Sequence, residues 1–582
     1  MLPFFLIFMF HLLFSCSSEV VKPIVIDKPR PTISTNYFRS PVNHDIKLAG
    51  TFCELRPNHF HTGIDIKSAA GVVGDDIFAV ADGYVARIGA SPQGYGYSLY
   101  IAHPNGYTSV YGHLLSFDKN IADYLLKQQL IQQRFDVQLY PDSLLLPVKK
   151  GQIIAKMGNT GSSKGAHLHF EIRETVSELP VNPLLFGIKV SDNQAPGISY
   201  ARIYDLDQGF NEFNAKNLMA KKKGEIFVPS TGDTIKTFST LVGLGINTRD
   251  GQIGNWNKNG VYEIKMWIND TLAYHVRMDS VSFDQTRMIN AHLDYPEQRN
   301  KKNYVHKCYS VPGNKLRIIK NKQNRGVLKL FIDQPKRVKF EVKDFNMNTA
   351  VMKFIVLRKS GDPKFKLPYY NYKLPFDKPS ILRDTGIEVL FTERTFFKDQ
   401  ELNFNSNADR SSKIYSNVYN IGEANVPVFD YYKVKIRENG VPAHLKSKAF
   451  IASCDERNQE SNWGGSWEGN WMTGNIRSYG SFYISIDTIK PTAIPIIFNA
   501  NMTKTSKIVF KIDDNITPAG QTEMLNYKAY IDDELIIMVY DLKTKTITYV
   551  FPSSLSKGSH TFKLEVFDAL KNTNTRELKF NR

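Results

Sequence analysis

Three short stretches in the first third of the chain carry residues that could do chemistry together. "RPNHFHTGIDI" (residues 56–66) holds His61 and Asp65, four positions apart. "GAHLHFEI" (165–172) holds His167 and His169, separated by one leucine. "YTSVYGHLLSF" (107–117) holds His113 at the end of a β-rich run. Pro57 and Gly63 disfavour a helix in the first stretch. In an extended chain, residues four apart return to one face, so His61 and Asp65 can point the same way. His167 and His169 share a face if theirs is a strand, with Phe170 and Ile172 on the opposite side. His61, Asp65 and one histidine of the pair then form a set of two nitrogens and one oxygen. Such a set suits tetrahedral zinc with a fourth position open to water. A lone histidine, or a single His-x-His, is more often a packed or surface residue. His-x-x-x-Asp, Tyr-x-His-Leu and His-x-His in this order are far harder to obtain by accident.

These stretches lie within a longer pattern: "HTGIDI", "IFAVADGYVARIG", "GYGYSLYIAHPNGYTSVYGHL" and "VKKGQIIAKMGNTGSSKGAHLHFEIR". The segment from about Phe38 to Arg173, about a quarter of the chain, resembles the lysostaphin/LytM-type zinc endopeptidases that cut peptide bonds in bacterial peptidoglycan. The resemblance implies a β-sheet catalytic domain and one zinc per chain. It implies His61, Asp65 and His169 as zinc ligands, with His113 and His167 as unligated catalytic residues. No HExxH glutamate is present. A histidine titrates near neutrality, so His113 or His167 can take the proton of a zinc-activated water while the other stabilises the oxyanion. The sequence leaves open which does which. Glycines 158, 161 and 165 suit tight turns before the histidine strand.

Two features depart from the simplest form of that family. Residues 118–147 form an insert in which Ile121, Leu125, Leu126 and Ile131 recur at roughly helical spacing. It reads as a helical decoration near the groove, with a lid or groove wall as the sharper alternative. His59 could compete with His61, but only His61 has an aspartate four residues on. Cys53 and Asn58 are close enough in sequence to be considered for the open zinc position in a latent form.

These motifs sit in a chain of 582 residues, a length that implies several domains. Hydrophobic residues make up 42% and charged residues 23%, which excludes a disordered chain. Lys+Arg 74 against Asp+Glu 57 gives +17, which favours an anionic partner such as a cell envelope. No phosphate loop, zinc knuckle or arginine tract points to nucleic acid. The start, "MLPFFLIFMFHLLFSCSSEV", has an apolar run too short to span a bilayer but suited to secretion. Leu13-Phe14-Ser15-Cys16 resembles a lipobox, so residues 1–15 read as a signal peptide and Cys16 as a lipid-bearing membrane anchor. The missing Lys or Arg before the run and the large Phe14 depart from that pattern. Export to the periplasm or outer membrane follows. The lipoprotein-type leader hints, by resemblance, at D-alanyl–diaminopimelate cross-links rather than glycine bridges. Cys53, Cys308 and Cys454 are too far apart to be a disulfide framework.

The expected architecture is mainly β. A tether (16–37) leads to the LytM-type domain (38–186). An Ig-like β-sandwich (187–358), a β-rich middle domain (359–484) and a second Ig-like β-sandwich (485–582) follow. The two sandwiches end alike, "FEVKDFNMNT" beside "LEVFDALKNT", a weak internal repeat. "NWGGSWEGNW" groups Trp463, Trp467 and Trp471. These suit sugar stacking, but packing is the commoner use of such residues. All expected catalytic residues precede 174, so the later domains should be dispensable for chemistry and serve as anchors. The leading reading is a peptidoglycan endopeptidase. The alternatives are a non-catalytic wall-binding protein or activator of another hydrolase, and an envelope scaffold.

Overall fold

The computed structural model describes residues 34–210, 212, 215–361, 369–408, 413–455, 457 and 459–582. The leader, Cys16 and most of the tether lie outside the described residues. The protein is mainly β.

The first region is built on an antiparallel sheet. Its strands run in the order Leu48–Gly50, Ile64–Lys67, His167–Glu174, Tyr107–Leu114, Tyr97–Ala102, Gly83–Ala90 and Val137–Leu139. The strand His167–Glu174 is central. Leu168, Phe170 and Ile172 point to one face and are fully buried, while His167, His169 and Glu171 point to the other. That alternation fixes the register, because a one-residue slip would put the histidines in the core. Each buried apolar side chain contributes about 1.5–3 kcal/mol. Phe170→Ala would therefore cost about 3–5 kcal/mol through the cavity it leaves.

The 118–147 insert is helical only in its first half. A helix spans Lys119–Gln132, capped by the Asp118 carboxylate at its start and by Gln133 in the left-handed region (φ 53°) at its end. Ile121, Leu125 and Gln129 face the protein, whereas Leu126 and Ile131 are exposed. The second half turns extended, and Val137–Leu139 extends the edge of the same sheet. Alternating burial of Phe135, Val137 and Leu139 explains that switch.

Residues 197–358 contain a 13-stranded sheet. It includes parallel pairings, such as Thr234–Thr237 beside Ile355–Arg358, within an otherwise antiparallel run. A hairpin of Leu241–Gln252 and Asn255–Asn259 projects from it against the first region. The Gln252 amide donates to the Ile46 carbonyl and accepts from the Leu48 N–H, both at 2.9 Å. The Asn255 side chain donates to the Leu48 carbonyl at 2.6 Å. The edge strand beside the Asp65 strand is thus covered rather than left open.

Beyond residue 369, a five-stranded and a six-stranded sheet share one core. Trp463 and Trp467 are half-buried against it. Their indole N–H groups donate to Ser453 Oγ and the Lys446 carbonyl, each at 2.8 Å. This is packing rather than a stacking platform. The last region is two four-stranded antiparallel sheets, and Phe510 of one stacks on Phe562 of the other at 5.3 Å. Cys53, Cys308 and Cys454 are free thiols.

Candidate metal centre

Three neighbouring strands bring the chemical residues together. Asp65 lies directly across from His169, and Gly112 faces His169 from the other side, one residue before His113. His61 arrives on the turn before the Asp65 strand. That turn passes so close to the histidine strand that a Cβ on Gly63 would stand 2.5 Å from the Phe170 carbonyl. Only glycine fits there.

His61 Nε2, His169 Nδ1 and Asp65 Oδ1 converge: 2.9 Å between the two nitrogens, 3.0 Å from His61 to Asp65 and 2.9 Å from His169 to Asp65. The three residues are buried at 2–4% exposure. Donors on a tetrahedral zinc, at about 2.0–2.2 Å from the metal, would sit only slightly farther apart. The other ring nitrogens are committed elsewhere. His61 Nδ1 lies 2.8 Å from the Thr51 carbonyl and His169 Nε2 lies 2.8 Å from Glu171 Oε1. Each of those nitrogens must carry the hydrogen, so the converging nitrogens present lone pairs. Two lone pairs and a carboxylate oxygen aimed at one point have no proton to share between all of them. A metal cation fits that donor set.

The charges agree. Burial pushes His61 down to about 4, more than the Asp65 carboxylate recovers, so it is neutral at neutral pH. Burial opposes the charge of Asp65, but His61, His167 and His169 outweigh it and hold the carboxyl well below its usual range. Arg56 Nη2 also bonds Asp65 Oδ2 at 2.5 Å.

His113 and His167 flank this cluster. His113 Nδ1 lies 2.9 Å from the Thr160 carbonyl, and His167 Nδ1 lies 2.9 Å from the Gly165 carbonyl. Their rings are 4.8 Å apart, and His167 Nε2 lies 3.4 Å from Asp65 Oδ1. Burial, then the neighbouring histidines, push His113 down to about 3. His113 also has φ 61°, a left-handed conformation that costs a non-glycine residue energy and is typical of functional positions. His59 is exposed on the cleft rim, its Nδ1 facing the Pro57 carbonyl, and takes no part in the cluster. Cys53 is buried in the core at 1% exposure, and the Asn58 side chain accepts from Asn290. Neither lines the cleft.

A second layer is less legible in the sequence. Glu171 is fully buried and accepts from His169, from Thr62 and Tyr95 hydroxyls at 2.6 Å, and from Arg173 Nε at 2.6 Å. Burial opposes its charge, but Arg173 and His169 prevail and hold it strongly ionised. The signal that could have found it is the spacing itself: Glu171 and Arg173 follow His169 on the same strand face. Glu171→Gln should weaken metal binding at this cluster about 10–100-fold, because the carboxylate orients His169. It should also destabilise the fold by up to about 3 kcal/mol, since it removes the nearer of the two carboxylates paired with the buried Arg173 and leaves only Glu178 at 3.4 Å. Chelator competition and thermal melts read the two effects separately.

The cluster opens onto a cleft of about 1060 Å³. One wall comes from the first region, through Arg56, Tyr95 and the loop at residues 162–166. The other includes Arg249, Trp256 and Asn257 from the hairpin of the following sheet and Tyr304 from a loop beside it. Trp256 is 86% exposed, with Lys67 Nζ 4.4 Å from its ring centre. The cleft is therefore not formed by residues before 174 alone. The 118–147 insert contributes nothing to its lining.

Comparison with known proteins points to the same segment. The profile of Peptidase family M23 matches residues 59–133 and 146–183, and that of the Zu5-like domain matches residues 371–487. DD-carboxypeptidase/endopeptidase Mpg of Neisseria meningitidis serogroup B is 32% identical over 124 residues, 21% of this chain and 22% of that protein. Murein hydrolase activator NlpD of Escherichia coli K12 is 39% identical over 124 residues, 21% of this chain and 25% of that protein. The match thus spans a quarter or less of either relative. Among solved structures, the catalytic domain of lysostaphin from Staphylococcus simulans is 22% identical, covering 24% of this chain and 91% of that one, with TM-score 0.18.

Proposed function

We propose that this chain, whose residues 59–183 carry a LytM-type domain of peptidase family M23, is a zinc-dependent endopeptidase acting on peptide bonds in peptidoglycan stem peptides or cross-links. The observation that carries the reading is the convergence of His61 Nε2, Asp65 Oδ1 and His169 Nδ1 beside two further imidazoles.

His61, Asp65 and His169 would hold the metal. Zinc in that position would polarise the scissile carbonyl and acidify a water. His113 and His167 each direct Nδ1 at a backbone carbonyl, leaving Nε2 turned toward the cleft. A neutral imidazole there can take a proton from water, and a protonated one can hold the developing oxyanion. Burial at the base of the cleft keeps bulk water from competing and strengthens each of these interactions.

The cleft's size and its exposed aromatic and cationic rim suit an extended peptide with acidic groups. Trp256→Ala should raise KM for wall fragments several-fold while leaving kcat within about twofold, because it touches the rim and not the metal cluster. Steady-state rates on soluble muropeptides check this.

A second reading, a wall-binding activator of another hydrolase, is favoured by the relatives named murein hydrolase activators. Digestion of purified sacculi separates the two. An endopeptidase alone releases fragments whose masses show amide hydrolysis within the peptides. An activator releases none until a second wall hydrolase is added. We further propose export to the cell envelope, in keeping with a relative named Lipoprotein NlpD/LppB homolog from Pseudomonas aeruginosa.

A further inference from the structure

The metal cluster is not the only place where oxygen or nitrogen ligands gather. Asp192, Asp250 and Asp344 each bring a carboxylate oxygen to within 4.8 Å of the others. Asp192 lies in the connection between the first region and the 13-stranded sheet. Asp250 lies on the hairpin that covers the catalytic edge, and Asp344 follows the strand Lys336–Lys343. In a chain with 17 more basic than acidic residues, none of the three forms an ion pair with a described residue. Burial, then Asp344 and Asp192, push Asp250 up to about 8.

An acidic cluster alone is no site, but here two buried oxygens lack partners. Asp250 Oδ1 and Asn259 Oδ1 accept no hydrogen bond, and their residues are only 7% and 2% exposed. Asp250 and Asn259 are paired across the hairpin, and both line a pocket of about 40 Å³ with Asp192 and Asp344. A water could donate to the two orphan oxygens, but it would leave the mutual repulsion of the clustered aspartates uncompensated. A cation serves both needs. All the donors are oxygens, which selects a hard ion. Ligand oxygens on calcium, at about 2.3–2.6 Å, span up to about 5 Å across the ion, in line with this spacing. Magnesium demands a tighter, near-ideal octahedron.

We infer that Asp192, Asp250, Asp344 and Asn259 form a calcium site at the junction between the M23 domain and the sheet that walls its cleft. The frame is hydrogen-bonded within the protein itself. Asn348 holds Asp344 through its N–H at 2.8 Å and its amide at 2.6 Å, and its amide also reaches the Asp192 carbonyl. The same frame recurs near the C-terminus. Asn572 holds Asp568 through its N–H at 2.8 Å and its amide at 2.7 Å, and its amide reaches the Asp487 carbonyl. Asp487, Asp514 and Asp568 form the matching trio. The repeat "VKDFNMNT" and "VFDALKNT" is thus a repeat of this carboxylate frame. Calcium at the first site would lock the hairpin, and with it Arg249, Trp256 and Asn257, against the catalytic edge.

The test uses the full chain freed of calcium, with zinc monitored by elemental analysis. Equilibrium dialysis against calcium chloride should show saturable binding, and the unfolding midpoint should rise by about 5 °C at saturation. Asp250→Asn should bind one calcium fewer, show a smaller rise, and keep its zinc. It should fold at least as well as wild type without calcium, since it removes a repelling charge. Asp344→Asn should likewise lose one equivalent. Unchanged calcium stoichiometry in both variants, or magnesium matching calcium in binding and midpoint, would overturn the assignment.

Discussion

His61→Ala and Asp65→Ala should each lose most of their zinc, with affinity falling well beyond the roughly 10–100-fold cost of removing an outer partner. Each substitution deletes one of three converging donors. Neither His59 nor Cys53 is placed to replace it: His59 faces the Pro57 carbonyl, and Cys53 is packed in the core. The surrounding fold should survive, because the apolar face of the histidine strand is untouched. Far-ultraviolet dichroism and elemental analysis on the same samples make the comparison. Full zinc in both folded variants would refute the ligand set.

The second large effect belongs to His113 and His167. His113→Ala and His167→Ala should keep one zinc and lose about 10²–10⁴ in kcat, the range for removing a general base or an oxyanion donor. His113 is ringed by His167 at 4.8 Å and His169 at 5.8 Å, so it faces the site without belonging to the donor triangle. His167 stands 3.4 Å from Asp65 through Nε2, farther than the 2.9 Å of His169 Nδ1. Should His167→Ala release the metal while His169→Ala retains it, the two roles are exchanged. Single-turnover rates on a muropeptide separate a lost proton acceptor from a lost binding contact.

The residues proposed for metal and catalysis were legible because strand geometry and motif spacing mark them. Two-residue spacing puts His167 with His169 on one strand face, whereas His61 meets Asp65 across a turn that the His-x-x-x-Asp motif marks and strand period does not. Tyr95 and Thr62 were not legible. They reach Glu171 from elements 76 and 109 residues away, and no local pattern marks such a contact. The same holds for Arg249, Trp256 and Tyr304. Their place in the cleft follows from hairpin contacts between Gln252 and Ile46, more than 200 residues apart. The expectation that the region after residue 190 is dispensable for chemistry and serves as an anchor stands as a proposal, to which the structure adds that Arg249, Trp256 and Tyr304 line the cleft. The helical period of the insert was real for Ile121 and Leu125, yet the helix stops at Gln132, where the chain turns to an alternating pattern. The internal repeat was visible as sequence, but only the fold shows that it conserves three carboxylates and the asparagine that holds one of them.

The central claim is that the His61–Asp65–His169 cluster holds a zinc that makes this domain a peptidase. The most direct measurement incubates a cross-linked muropeptide dimer with metal-free protein, with protein given one equivalent of zinc, and with zinc-loaded His167→Ala. The account predicts cleavage of one amide bond, seen by mass, only in the wild-type sample given zinc. A folded wild-type protein that holds one zinc and leaves the dimer intact would contradict it.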